Sequence, residues 1–226
     1  MKIINLSDTN SVVNHFLSEL RDVNVQNDRM RFRRNIERIG NMMAYEMSKH
    51  FHYVARDVTT PLGHATVNIS DEELVLATIF RAGLPLHQGF LEVFDKADNA
   101  FVSAYRDEQT EGELKIVVQY SASPELTGKT LIIVDPMLAT GGSMELAYRA
   151  LQRYGKPDKV HFAAVIASQQ ALDNLEKLFP EDNFTLWVAT VDPKLNEHKY
   201  IVPGLGDAGD LAFGTKISIP EYGKKE

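Results

Sequence analysis

The sequence contains no cysteine, and it has fewer basic than acidic residues. Without cysteine the chain can form no disulfide, thiolate nucleophile or cysteine-bound metal site. The 24 Lys and Arg residues against 31 Asp and Glu residues give a formal net charge of −7. This charge argues against a broad nucleic-acid surface, because such a surface needs a basic face. The first ten residues lack the apolar core of a signal peptide, and no apolar run reaches the length of a membrane span. We therefore expect a soluble, cytoplasmic protein without nucleic-acid or membrane partners.

The residues that are present suffice for one sizeable hydrophobic core. The 226 residues are 44% hydrophobic, and short apolar runs alternate with helical patterns. This alternation favours an α/β fold with a central, mostly parallel sheet flanked by helices. The predicted strands cover 74–80, 100–104, 131–134, 160–167 and 184–191, and the predicted helices between them cover 84–94, 143–154 and 169–179.

We expect a single domain over 1–226 with three parts. A helical segment, 1–60, precedes an α/β core, 61–192, and a terminal segment rich in Gly and Pro, 193–226, follows it. Within the core, the polar stretch 107–130 contains alternating apolar residues and predicts a β-hairpin arm.

An amphipathic helix is predicted from Asp28 to Phe51, with Asn27 or Asp28 as its cap. Its apolar residues, spaced three or four apart, supply a buried face. The same helix carries a basic cluster, which we expect on a solvated or interface face. The cluster consists of Arg29, Arg31, Arg33 and Arg34.

The segment from Leu131 to Met144 is the most informative part of the chain. An apolar strand leads into Asp135, then into the small-residue loop 139–143, and then into a helix. Ligands of open α/β sheets bind outside the carboxyl ends of the strands, so Asp135 can accept hydrogen bonds from sugar hydroxyls. The loop brings backbone amides to a helix start, which suits a phosphate group. The segment predicts a site for a phosphorylated ribose, although an ordinary strand-turn-helix is the alternative interpretation.

Two arginines follow strands of the same predicted sheet. Arg81 comes directly after 74–80, and Arg106 ends the next strand. Because both side chains should project from one edge of the sheet, they could clamp a diphosphate between their guanidinium groups. Each of them could instead be a surface ion-pair partner.

The segment Gly204–Gly209 has the glycine spacing of a dinucleotide fingerprint. Only 17 residues follow Gly209, too few for the rest of the βαβ unit that such a fingerprint requires. This segment, the glycine loop, instead exposes backbone amides and carbonyls, which can pair with a small planar ligand. A purely structural turn is the other interpretation.

Together these segments resemble one enzyme family. The order of strand, Asp and ATGGS within 131–143 looks like the phosphoribosyl diphosphate loop of the type I phosphoribosyltransferases. More narrowly, DPMLATGGS resembles the uracil phosphoribosyltransferases, because Pro136 replaces the second acid of other relatives. RAG at 81–83, YRDEQT at 105–110 and NEHKYIVPGLGDAGD at 196–210 agree with this family in the expected order.

The resemblance implies the type I phosphoribosyltransferase fold, with a β-hairpin arm and a small uracil-binding hood from the terminal segments. It also implies pyrimidine salvage, in which uracil and 5-phosphoribosyl diphosphate (PRPP) give uridine monophosphate and diphosphate. The catalytic residues it implies are Asp135, Arg106 and Asp207. The PRPP-binding residues it implies are Arg81, Arg106, Asp135, Pro136, Met137, Leu138, Ala139, Thr140, Gly141, Gly142, Ser143 and Asp207. The uracil-binding residues it implies are Ile201, Gly206, Asp207 and Ala208.

The resemblance further implies Mg²⁺ as the cofactor, carried by PRPP and without direct protein ligands. The arm and the apolar first helix suggest a homodimer or a higher homo-oligomer. A pyrimidine-responsive RNA-binding regulator of the same fold is the main alternative function. A purine or orotate transferase, against which the terminal glycine loop argues, and a non-catalytic relative are two others.

Overall fold

The computed structural model describes residues 1–107 and 115–217, and it leaves the side chains of 104–118 aside. Within these ranges a mostly parallel sheet of eight strands forms the centre of the molecule. The strands are β1 (Lys2–Asn5), β2 (Tyr53–Thr60), β3 (Gly63–Ser70), β4 (Leu74–Phe80), β5 (Asp98–Asp107), β6 (Lys115–Ala122), β7 (Thr130–Val134), β8 (Met137–Leu138), β9 (Lys159–Ser168), β10 (Phe184–Asp192), β11 (Lys194–Leu195) and β12 (Ile201–Val202). The helices are α1 (Val12–Arg21), α2 (Arg29–Ser48), α3 (Leu84–Val93), α4 (Gly142–Leu151), α5 (Gln169–Leu178) and α6 (Ala208–Phe213), with short 3₁₀ turns at Leu6–Asp8 and Gln152–Tyr154.

The central sheet has the strand order β1-β10-β9-β7-β4-β5-β6, and β8 also pairs with β9. All of its pairs are parallel except β5 with β6, which run antiparallel. Every residue of β7 is buried, as expected for a central strand covered on both faces. The carboxyl ends of β4, β5, β7, β9 and β10 therefore lie along one edge of the sheet.

The two faces of the sheet are covered by different helices. Alternate residues of β7 point to opposite sides, so that Leu131 and Ile133 join one core and Ile132 and Val134 join the other. Apolar residues of α4 and α5 complete the first core, and apolar residues of α1, α2 and α3 complete the second. The α/β class and the central sheet expected from the sequence are confirmed.

Strands are present at all five predicted positions, and the helices agree closely with their predicted ranges. The cap of α2 is Asp28, whose carboxylate accepts the Arg31 amide at 3.0 Å. The predicted arm, 107–130, begins at the last residue of β5 and contains β6, which pairs antiparallel with β5 at the edge of the main sheet. Its connecting residues, 108–114, lie outside the described part of the chain.

The structure also contains elements that hydrophobic periodicity does not predict. The segment 1–60, expected to be helical, also holds β1 and β2, and β2 pairs with β3 in a separate, largely exposed hairpin. Because this hairpin has no buried face, its sequence shows no alternating apolar pattern. The remaining strand signal is the β-branched residues on both sides of the turn at Pro61 and Gly63. The terminal segment, which is rich in Gly and Pro and shows no helical period, contains the six-residue helix α6, which is too short to produce one. Among the described helices, none combines the length and apolarity that a membrane span requires.

Candidate active site

The loops that follow β4 and β7 meet at the carboxyl edge of the sheet. Arg81 is the first residue after β4, and Asp135 is the first after β7. These strands are hydrogen-bonded neighbours. A Cβ atom on Gly83 would lie 3.0 Å from the Val134 carbonyl oxygen and would collide with the Thr78 hydroxyl. Only glycine fits there, so the Arg81–Gly83 loop packs directly against the end of β7.

Backbone hydrogen bonds to β9 hold the segment around Asp135. The Asp135 amide donates to the Ala163 carbonyl at 3.1 Å. The buried Pro136 offers its carbonyl to the amides of Val165 and Ile166, at 3.1 and 3.0 Å. The half-buried Asp135 carboxylate accepts the Met137 amide at 3.3 Å. This anchoring fixes Asp135 at the sheet edge, with Met137 and Leu138 forming β8 beside it.

The loop Ala139–Ser143 is held by the element that follows β9. The buried Ser168 hydroxyl donates to the Ala139 carbonyl at 2.5 Å, and the Asn174 amide group donates to the Thr140 carbonyl at 3.1 Å. Both carbonyls are therefore turned toward α5, and the loop continues into α4. Gly141 adopts a left-handed φ of +83° at the N-cap of α4 and has no side chain that could cap the helix. A helix start of this kind offers backbone amides to an anion.

An open cavity of about 410 Å³ borders this loop. Thr140 and Gly142 line one side of it, and Asn174 and Lys177 of α5 line another. The Thr140 hydroxyl lies 3.5 Å from the Gly142 amide, at the limit of a hydrogen bond. The Glu145 carboxylate also borders the cavity, whereas the hydroxyl, the backbone amides and the lysine are the donors that suit phosphate oxygens.

Arg81 connects the β4 loop to the terminal segment. Its side chain is 44% exposed, and its guanidinium forms an ion pair with Asp210 at 3.1 Å and approaches the Gly214 carbonyl at 3.4 Å. A Cβ atom on Gly209 would lie 3.7 Å from the same guanidinium and 3.2 Å from the Asp207 carboxylate. The structure therefore brings Arg81 and Asp207 to one place, although 125 residues separate them in the sequence.

Asp207 begins α6 and remains ionised under ordinary conditions. Burial alone would raise its pKa, but the Asp210 amide, at 2.9 Å, and the Lys216 ammonium, at 3.3 Å, outweigh that effect. The pKa of Asp207 therefore lies below its ordinary value. A negative charge is thus maintained beside Arg81.

The remaining residues of the glycine loop present backbone groups. Ile201 buries its side chain in the second core, and Ala208 is buried at the start of α6. Gly204 and Gly206 adopt positive φ values of +63° and +94°, which glycine accepts without strain. A cavity of about 300 Å³ lies against Gly206 and Asp207. The Gln26, Arg29 and Asp210 side chains also line it, so a planar molecule placed there would face loop backbone, two carboxylates and one guanidinium group.

Proteins of known name resemble this sequence over almost its whole length. The family model described as uracil phosphoribosyltransferase matches residues 7–215. The chain belongs to the uracil phosphoribosyltransferase family. The uracil phosphoribosyltransferase of Porphyromonas gingivalis is 56% identical over 217 residues, which cover 96% of this chain and 100% of that protein. The uracil phosphoribosyltransferase of Finegoldia magna is 38% identical over 207 residues, covering 91% of this chain and 95% of that protein.

Solved structures agree with the family at the level of the fold. A protein of Aquifex aeolicus superposes with a TM-score of 0.84 at 33% identity, covering 96% of this chain and 100% of the other. A hypoxanthine phosphoribosyltransferase of Staphylococcus aureus superposes with a TM-score of 0.50 at 13% identity, covering 83% of this chain and 84% of the other. The second likeness concerns the fold alone.

For one predicted site residue, Arg106, the structure describes only the backbone. Arg106 lies near the end of β5, whose carboxyl end lies at the same sheet edge as that of β4. Its side chain lies outside the described part, so its predicted role in a diphosphate clamp stays a prediction.

The basic cluster of α2 divides among several structural contacts. Arg31 forms a two-pronged ion pair with Glu19, and its hydrogen bond lowers the pKa of that carboxyl to about 2. Arg33 donates to the Ala212 carbonyl at 2.7 Å, and Arg34 pairs with Glu37 at 2.5 Å. Arg29 lines the cavity beside Asp207. The cluster thus joins α2 to α1 and α6.

Several residues that hold the candidate site in place were not among the sequence candidates. Ser168 and Asn174 bind the carbonyls of the loop Ala139–Ser143. Arg21, Gln26 and Asp192 bind the glycine loop. Ser168 could have been found as a Ser preceding a helical pattern, because its hydroxyl also accepts the Ala171 amide as the N-cap of α5. Arg21 and Asp192 lie 171 residues apart and leave no local signal.

Proposed function

We propose that this chain transfers the phosphoribosyl group of PRPP to uracil, giving uridine monophosphate and diphosphate. The single observation that carries the proposal is the meeting of three loops at one sheet edge. These are the Asp135–Ser143 segment, the Arg81–Gly83 loop and the glycine loop that contains Asp207, joined by the contacts of Gly83 and Gly209. They supply the acceptors and donors that a ribose phosphate, a diphosphate and a planar base require.

The ribose phosphate binds to the Asp135–Ser143 segment in this proposal. Asp135 accepts hydrogen bonds from the ribose hydroxyls, and it is the sole carboxylate of the segment because Pro136 follows it. The loop Ala139–Ser143 binds the 5′-phosphate through its amides and hydroxyls, while Met137 and Leu138 hold the loop to β9. The support is local: an anchored carboxylate at a strand end beside an anion-binding helix start.

The diphosphate binds to Arg81 and Arg106. A guanidinium group can donate two parallel hydrogen bonds to phosphate oxygens, and its charge does not vary with pH near neutrality. Arg81 is half-exposed, and its contact with the Gly214 carbonyl is long, at 3.4 Å. Binding of the more strongly charged diphosphate can therefore replace these partners at small cost.

Mg²⁺ fits this site as an ion that the substrate carries. No group of three His, Asp or Glu side chains within residues 1–107 and 115–217 could hold a metal by itself. Mg²⁺ commonly retains several waters and binds mainly to phosphate oxygens, with few protein carboxylates. When bound, the ion would neutralise charge on the departing diphosphate. The role of Asp135 toward the ribose is compatible with that arrangement.

Uracil binds to the backbone around Ile201, Gly206, Asp207 and Ala208. The base offers alternating carbonyl and N–H groups, which peptide groups can complement. Asp207 lies between this loop and Arg81, so it can contact the phosphoribosyl group while the adjacent amides hold the base. Its ionised carboxylate also stabilises positive charge that develops on the sugar.

Catalysis in this proposal depends on position and charge more than on a strong acid or base. Diphosphate leaves the anomeric carbon as positive charge develops on the ribose, the ring nitrogen of uracil forms a bond at the opposite face, and the proton of that N–H group is released to solvent. Arg81 and Arg106 stabilise the leaving anion, and Asp135 and Asp207 orient the sugar. A cytoplasmic location and a homo-oligomeric state stay predictions, and no feature of the described residues favours the RNA-binding regulator.

The proposal is tested by incubating the protein with PRPP, Mg²⁺ and, separately, uracil, cytosine, orotate, hypoxanthine and guanine. We expect uridine monophosphate and diphosphate in equal amounts with uracil, and at least about a hundredfold lower kcat/KM with the purines, because the site pairs with one pattern of donors and acceptors. A nucleotide product formed faster from another base would contradict the assignment. So would a failure to consume PRPP with any base.

A further inference from the structure

Asp192 and Arg21 hold both polar groups of a single residue in the glycine loop. Asp192 ends β10, and only 4% of it is exposed. Its carboxylate accepts the Gly204 amide at 2.7 Å and two hydrogen bonds from the Arg21 guanidinium, at 2.8 and 2.9 Å. Arg21 also donates to the Gly204 carbonyl at 3.0 Å. The pair therefore binds the amide and the carbonyl of Gly204 at once.

The turn that contains Gly204 is too tight to tolerate another residue. Its φ is +63°, and a Cβ atom there would collide with the Ile201 carbonyl oxygen. A third side chain, Gln26, donates to the Leu205 carbonyl at 3.1 Å and to the Leu20 carbonyl at 2.8 Å. The centre of the loop is therefore fixed by side chains from the end of α1 and from the turn that follows it.

The Arg21–Asp192 pair differs from an ordinary surface ion pair. Exposed pairs contribute little because water screens them and because long side chains lose entropy. Here the Asp192 side chain is 5% exposed and that of Arg21 is 26% exposed, and the geometry is two-pronged. Loss of either partner would leave the other, and the Gly204 peptide, without their hydrogen bonds. The most direct way for these groups to find new hydrogen-bond partners is a shift of the loop.

We propose that Arg21 and Asp192 are positioning residues for the acceptor base. They touch no substrate; they act through Gly204 to hold the peptide groups of Ile201, Gly206 and Ala208 in register with the base. The inference rests on the proposed function, since that function assigns the base to this loop. A site built from backbone groups has no side chain that can readjust, so its affinity depends on the rigidity of the loop.

The test uses Asp192→Asn and Arg21→Lys. In the first variant the new side chain presents an NH₂ group where a second acceptor is needed, and in the second the ammonium keeps the charge but loses the forked geometry. We expect each substitution to raise the KM for uracil at least about tenfold, as misalignment of about 1 Å does, while the KM for PRPP changes less than about twofold. Amide exchange of a peptide covering 201–208 should accelerate in both variants.

Glu72→Gln is the matched control. Glu72 is also nearly buried, with a side chain 9% exposed, and it pairs with Lys159 and accepts the Thr130 hydroxyl at 2.6 Å. It lies just before β4, at the opposite edge of the sheet. This variant should lose stability like the others, but it should leave the KM for uracil and the exchange of 201–208 unchanged.

The outcomes separate this proposal from the proposed function. If Asp192→Asn lowers Tm as Glu72→Gln does but leaves the KM for uracil within twofold, the pair is merely structural and the positioning role is overturned. If the wild-type protein converts another base instead of uracil, the proposed function fails, and the same KM comparison is made with that base. If no base reacts, exchange of 201–208 decides: unchanged exchange in Asp192→Asn overturns the proposal, whereas accelerated exchange supports it.

Discussion

Gly141, at the start of α4, is the position where one added methyl group should damage the phosphate loop most directly. Its φ of +83° lies in the left-handed region. A Cβ atom there would lie 2.9 Å from Cγ and 3.1 Å from Cδ2 of Leu175. Leu175 is fully buried in α5, so it has no free space into which it can move. We therefore predict that Gly141→Ala both destabilises the protein and weakens PRPP binding.

Two separate terms contribute to the expected loss of stability. A left-handed conformation costs a non-glycine residue about 1–2 kcal/mol. Overpacking against a fixed core residue costs about 1–3 kcal/mol. The free energy of unfolding of Gly141→Ala should therefore fall by about 2–5 kcal/mol in total.

Gly128 allows the two terms to be separated. It has a similar φ of +79°, but no atom lies within 4 Å of its Cβ position. Gly128→Ala should therefore lose only the conformational term of about 1–2 kcal/mol. Leu175→Ala removes the atoms that the new methyl group would meet, at a cost of about 2–5 kcal/mol by itself. The double variant Gly141→Ala/Leu175→Ala should be more stable than additivity predicts by about 1–3 kcal/mol.

The assays are urea unfolding and steady-state kinetics with PRPP as the varied substrate. We expect the KM for PRPP to rise about tenfold in Gly141→Ala, because the methyl group shifts the anion-binding amides, and to stay unchanged in Gly128→Ala. Equal losses of stability in Gly141→Ala and Gly128→Ala would refute the packing argument. An unchanged KM for PRPP in Gly141→Ala would remove this loop from the phosphate site.

Three further predictions concern Asp135, two capping serines and a buried histidine. Asp135→Asn should lower kcat/KM for PRPP roughly ten- to a hundredfold, because the amide keeps an acceptor for Met137 but loses the charge and the second acceptor oxygen; a loss below about threefold would count against the ribose contact. Ser168→Ala should cost about 2–3 kcal/mol in chemical unfolding, because it frees a buried carbonyl as well as a helix cap, whereas Ser11→Ala, which removes only the cap of α1, should cost about 1 kcal/mol; equal losses would contradict this difference. Burial lowers the pKa of His161 from 6.5 to about 4. Between these pH values the unfolded chain takes up a proton that the folded protein excludes, so the free energy of unfolding should fall by about 3 kcal/mol as the pH falls. His161→Asn should reduce this acid sensitivity in urea titrations, and an identical pH profile would show that another group is responsible.

Much of the fold could be predicted because its strands are buried on both faces. A short, fully apolar strand such as β7 is recognised from its composition alone. The exposed hairpin of β2 and β3, by contrast, has no buried face, so hydrophobic patterning gives it little signal. The helix α6 fits its place by contacts with α2, among them the hydrogen bond from Arg33 to the Ala212 carbonyl. Such contacts depend on distant parts of the chain.

The sequence by itself determined which groups the candidate site offers and to which family the chain belongs. Asp135, the loop Ala139–Ser143 and the glycine loop each contain, within a few residues, the groups that suit a ribose, a phosphate or a planar base. Each local motif carries its own hydrogen-bonding groups, so its chemistry can be deduced before the fold is known. The family followed from the order of these motifs.

Only the tertiary structure decided how the motifs are held and joined. Ser168 turns the Ala139 carbonyl toward α5. The Gly204 peptide is bound by Asp192, 12 residues away in the sequence, and by Arg21, 183 residues away. Arg81, which the sequence predicts to bind a diphosphate, forms an ion pair with Asp210 in the structure. These contacts join residues that the chain brings together only after the strands have set their register and the helices have packed. Their formation depends on the whole core, and a local stretch of sequence therefore cannot specify them.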